Sequence, residues 1–132
     1  MVDVVWAATS PASGRFDPVE TRTDVKALNE RFEVLRARGE GYLEVRRIEE
    51  FPVVTVGFRG SVAVVQALTS PEVISFLEGD GSVAGQAVEV PVMDETTTFS
   101  GQAGVRVDLA WSLVQGFLQG RDLSELGEWV GL

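Results

Sequence analysis

Apolar residues recur along this chain with two periods, and each switch of period marks the edge of an element. Residues 2–8, VDVVWAA, are a β-branched run that predicts a first strand. The proline, serine and glycine of TSPASGRFDPVE, residues 9–20, predict a loop. Val25, Leu28, Phe32 and Leu35 then recur at helical spacing, with Thr21 or Thr23 as the expected cap and Asp24 near the positive end of the helix dipole. Arg36, Arg38 and Gly39 supply the signals that end this helix.

Strand periodicity follows. YLEVRRI, 42–48, predicts a second strand, Pro52 interrupts, and VVTVGF, 53–58, predicts a third with Val54, Val56 and Phe58 on one face. Arg59 and Gly60 form the expected hairpin turn into a fourth strand, 61–68, whose continuous apolar content predicts burial on both faces. Asp80-Gly81 is the strongest short turn signal, expected to join a strand at 72–78 to a weaker one ending near Val90, with Pro91 at an edge. One more strand is expected at 95–99 and a loop at 100–104. A second helix over 105–119 should bury Val107, Ala110, Trp111, Val114, Phe117 and Leu118, with Gly120 just past its end. The order implies an α+β fold in one domain, 1–132: a mainly antiparallel, curved sheet of about five to seven strands packed with two helices.

Composition removes much of enzyme chemistry. The chain has no cysteine and no histidine, which excludes disulfides, thiol nucleophiles, imidazole bases and Cys or His zinc sites. We therefore expect no enzyme, cofactor or metal. No apolar run is long enough to span a bilayer, and Asp3 stands where a secretory signal would carry a base, so a cytoplasmic protein without membrane contact is expected. Gly79, Gly81 and Gly85 outline a glycine motif, but no helix pattern follows and nearby carboxylates repel phosphate, so it reads as a turn. Glu49 with Glu50, Glu78 with Asp80, and Asp94 with Glu95 lack calcium-loop spacing and read as solvated faces. Trp6, Trp111 and Trp129 read as core residues.

Charge changes the picture more than composition does. Eleven basic and twenty acidic residues give a net −9, which disfavours direct nucleic-acid binding. Residues 60–105 carry six acids and no base. These six, Glu72, Glu78, Asp80, Glu89, Asp94 and Glu95, are the candidate contacts for a cationic protein partner, those around Asp80-Gly81 being the most exposed by expectation.

The closing third, VEVPVMDETTTFSGQAGVRVDLAWSLVQGFLQGRDLSELGEWV, resembles the closing pattern of immunity protein family one of bacterial polymorphic toxin systems. The shared features are a strand leading to an aromatic-bearing helix (Phe117), a glycine (Gly120), a polar link and a terminal tryptophan (Trp129). The earlier order agrees across about residues 22–130, including FPVVTVGFRGSVAVVQAL, although RDLSELGE lacks the proline expected after the helix glycine. The resemblance implies a protein that binds and neutralises a cognate toxin domain, often a nucleic-acid deaminase; the acidic bias adds the expectation that it does so by occluding a basic cleft. The resemblance carries no binding residues over. The alternatives are a small-molecule binding domain or cofactor-free enzyme with a pocket between sheet and helices lined by Trp111, Phe99 and Tyr42, and a scaffold or homo-oligomerising module that pairs through a strand edge. The sequence leaves the oligomeric state open.

Overall fold

β-branched and aromatic runs fit a pleated, half-buried surface, and the computed structural model, which describes residues 3–81 and 85–131, is built around them. The elements are β1 (Asp3–Thr9), β2 (Phe16–Asp24), α1 (Val25–Arg38), β3 (Glu40–Arg46), β4 (Val53–Arg59), β5 (Val62–Ser70) and β6 (Val73–Leu77). After them come β7 (Ala87–Val92), β8 (Glu95–Ser100), a 3₁₀ turn at Gly101–Ala103, β9 (Val105–Arg106), α2 (Val107–Leu118), α3 (Leu123–Leu126) and β10 (Trp129–Gly131). The fold is α+β, with ten strands among the described residues rather than five to seven, and a one-turn third helix. Among the described residues no helix is long and apolar enough to cross a membrane.

Seven strands form an antiparallel sheet in the order β10-β6-β5-β4-β3-β1-β2, and β9 joins it through the start of β5. Side-chain alternation sends Trp6, Leu43, Val45, Val54, Val56, Phe58 and Val65 to one face, where they meet Leu28, Phe32 and Leu35 of α1 and Trp111, Val114 and Phe117 of α2. Val64 and Phe76 point the other way, against Val88, Val90 and Phe99 of the separate β7–β8 hairpin. Sheet positions 63–67 are therefore buried on both faces, as the apolar content of that strand implied. Gly57 makes the second layer possible, because a Cβ there would run into the Pro91 carbonyl of β7.

The first helix begins later than its threonines suggested. Asp24 is the cap, its carboxylate accepting from Ala27 N at 3.0 Å, and Thr21 and Thr23 lie in β2. The Thr23 hydroxyl instead accepts from Trp6 Nε1 at 2.8 Å. Residues 16–20 also belong to β2 rather than to a loop. An edge strand with Pro18 and charged, exposed positions lacks the apolar alternation that reveals a strand, because only one side of it meets a neighbour. Gly39 ends α1 in the left-handed region, φ 97°, as expected.

The second helix buries all six residues expected of it, and Gly120, φ 113°, follows its last turn. Its C-terminal carbonyls receive a cation from elsewhere. Arg47, just past β3, donates from Nε to the Phe117 carbonyl at 2.7 Å and from Nη2 to the Arg121 carbonyl. The same guanidinium lies 4.4 Å from the centre of the Phe117 ring.

Two expectations about connections are corrected. Asp80-Gly81 does not close a hairpin: β6 pairs with β5 and β10, whereas β7 pairs with β8, and residues 82–84 of the expected strand lie outside the described residues. The stretch 121–128 is not merely a polar return, since it contains α3, whose Leu126 is buried. The terminal strand is present as β10, with Trp129 opposite Leu77 and its Nε1 donating to the Leu123 carbonyl at 2.8 Å.

Candidate functional site

The β4–β5 hairpin marks one end of the sheet. Arg59 and Val62 face each other across Gly60-Ser61, and Gly60 takes the positive φ, 61°, that the turn requires. Glu40 lies opposite Arg59 on one side and Arg106 opposite Val62 on the other. Register therefore gathers around this end residues that are distant in sequence.

Arg59 is the hub. Its Nε pairs with Glu40 at 3.0 Å, its Nη1 lies 3.7 Å from Glu89, and its Nη2 donates to Thr96 Oγ1 at 3.2 Å. Asp94, in the β7–β8 turn, accepts from Phe16 N at 2.7 Å and ties the hairpin tip to the start of β2. Asp80 accepts from the Arg106 backbone N–H at 3.2 Å and pairs with its guanidinium at 3.5 Å. Glu78 directly follows Leu77 at the same end of β6, and Glu95 begins β8.

Five of the six expected acids thus lie at this end, and Glu72 does not. Glu72 sits in the β5–β6 turn, at the opposite end of the sheet. Glu78 and Glu95 are exposed and form no ion pair among the described residues, whereas Asp80, Glu89 and Asp94 are engaged as above. Glu78, Asp80 and Gly81 are exposed residues, as expected of that turn, although the Asp80 carboxylate itself is turned toward Arg106 and its side chain is 18% exposed. Two arginines from outside the base-free segment, Arg59 and Arg106, fold back onto it.

Two apolar features share this end, and neither was among the expected contacts. Leu77, Val105, Leu109, Leu113 and Leu126 line a groove of about 150 Å³ with Glu78 and Asp80 at its lip. Leu109 and Leu113, four residues apart on α2, extend its apolar stripe beyond the core-facing residues, and Leu109 is 37% exposed. That spacing was the available signal. The second feature is Met93, 52% exposed in the β7–β8 turn, where it borders a polar cavity of about 120 Å³ that Arg38, Glu40, Arg59 and Thr96 also line.

Most of the chain's cations are occupied within the fold. Arg22, Arg36, Arg46, Arg59, Arg106 and Arg121 form ion pairs with carboxylates, between 2.6 and 3.9 Å. Arg31, Arg38 and Arg47 donate to backbone carbonyls. The Arg46 hydrogen bond holds the Glu20 carboxyl below its usual range, and Arg36 does the same for Asp108.

Tyr42 is buried on the hairpin side, its hydroxyl donating to Glu44 Oε2 at 2.7 Å. Burial and the adjacent carboxylate raise its pKa far above the ordinary tyrosine value. Phe99 packs on the same side, but Trp111 belongs to the helix-side core, so these three residues do not line a common pocket between sheet and helices. Among the described residues no group of three carboxylates is placed to hold a metal.

At this end of the sheet carboxylates border apolar side chains in two places, Glu78 and Asp80 at the Leu109–Leu113 groove and Glu95 near Met93. No family model, curated protein or solved structure matches this chain.

Proposed function

We propose that this chain is an inhibitory binding protein of the immunity type, which neutralises a bacterial toxin domain, such as a nucleic-acid deaminase, by covering its basic cleft. The observation that carries the reading is the sharing of one sheet end by exposed Glu78 and Glu95 with two apolar features, the Leu109–Leu113 groove and Met93. Protein interfaces combine an apolar centre with a polar rim in this way. A toxin that acts on nucleic acid presents cations where the phosphates pass, and an acidic occluding surface gains fast association from them.

Internal pairing of the arginines supports the same reading. With six of the eleven basic side chains ion-paired to carboxylates, the net charge of −9 leaves an excess of carboxylates without a cationic partner. The absence of cysteine and histidine leaves binding as the simplest route to inhibition.

The test is co-expression with the toxin domain encoded beside this chain's gene. The proposal expects growth to be rescued and a one-to-one complex to survive gel filtration. Growth arrest despite full expression of both chains, with no complex at micromolar concentration, would overturn it.

A further inference from the structure

We infer that Met93 is a preorganised anchor, inserted into an apolar socket rimmed by lysine or arginine on the protein that this chain binds; this inference rests on the binding function proposed above.

The starting observation is conformational. Val92 faces Glu95 across the β7–β8 hairpin, so Met93 and Asp94 are the two turn residues, and Met93 adopts φ 57°. That region favours glycine or asparagine, because a side chain there crowds the backbone. Met93 is the one non-glycine residue with positive φ among the described residues.

The turn is clamped on both sides. Asp94 is tied to Phe16 N at 2.7 Å, Arg59 reaches Thr96 at 3.2 Å, and β7 is seated on Gly57. Such clamping is what allows an unfavourable backbone to persist. It also fixes where the Met93 side chain emerges, so docking it loses little conformational freedom.

Met93 is 52% exposed and, among the described residues, belongs to neither hydrophobic cluster. A flexible thioether fits sockets of irregular shape. Exposed Glu95, which forms no ion pair among the described residues, stands two positions away and favours cations at the socket rim. The chemistry recognised is thus an apolar depression within a basic protein surface.

Glycine at position 93 separates anchor from scaffold, because it accepts the positive φ and removes the side chain. Titration of the neighbouring-gene toxin domain into wild type, Met93→Gly and Met93→Asn should show both variants binding about tenfold or more weakly, with melting temperatures unchanged or raised. Wild-type binding matched within about twofold by Met93→Gly would overturn the anchor and leave the immunity reading intact. No binding by wild type would overturn both. A lower melting temperature for Met93→Gly and Met93→Asn alike would show that the side chain serves the fold and would also overturn the anchor.

Discussion

Phe32 of α1 and Trp111 of α2 stack with ring centroids 4.0 Å apart and planes 1° from parallel, and Trp111 Nε1 donates to Asn29 Oδ1 at 2.9 Å. The two helices thus meet each other as well as the sheet. Trp111→Ala removes a buried ring at this junction and should lower unfolding free energy by about 3–5 kcal/mol. Trp111→Phe keeps an aromatic and gives up the hydrogen bond, so a smaller loss is expected. Denaturant titration measures both, and equal losses would contradict the stacking role.

Arg47 serves the other end of α2. Replacement by alanine removes a guanidinium from the Phe117 and Arg121 carbonyls and from the Phe117 ring, an expected loss of about 1–2 kcal/mol. Arg47→Met retains an apolar stem and should recover part of it. Amide exchange should quicken in the last turn of α2 in both variants. Unchanged protection there would mean that the turn is held by Gly120 alone.

Tyr42 makes alkaline behaviour readable, since it is the chain's single tyrosine. Its pKa is raised in the folded state by burial and by Glu44. A raised value means that stability is complete below the ordinary tyrosine pKa, 10.0, and declines as pH rises beyond it, because the unfolded chain ionises first. Tyrosinate absorbance should therefore stay flat past that pH and appear together with unfolding. A simple titration near 10 in a chain that keeps its folded circular dichroism would contradict the burial.

Gly57→Ala tests the second layer. The added methyl meets the Pro91 carbonyl, so the hairpin must lift from the sheet, at a cost of about 1–3 kcal/mol. Hydrogen exchange should rise across β7 and β8 while the helix-side core keeps its protection. Protection lost equally on both faces would show that the layers do not respond separately.

Much of the helix-side layer was legible because helical and strand periods report burial directly. Leu28, Phe32 and Leu35 in α1, and the six core residues of α2, follow from spacing alone. β2 was hidden because an edge strand with exposed charges shows no apolar alternation, and its threonines resemble helix caps. Asp80-Gly81 misled because local turn chemistry carries no information about the long-range partner, here β10 for β6. The carboxylates of the candidate site were visible in sequence, but their grouping depended on register: Arg59 and Arg106 meet acids across the sheet end, and Glu72 is carried away from it. Met93 gave no warning, since its turn lacks the Asn-Gly or Asp-Gly pair that usually announces one.

Under the proposed function, the sheet end on which Glu78 and Glu95 are exposed meets a basic protein surface. Stopped-flow association with the neighbouring-gene toxin domain, measured across ionic strength, tests it most directly. Reversing both residues, Glu78→Arg with Glu95→Arg, should slow association by about tenfold or more at low salt and flatten its salt dependence. Glu72→Arg, at the far end, should change it by less than about twofold. Equal slowing by the two reversals, or a double variant as fast as wild type at every salt concentration, would contradict the account.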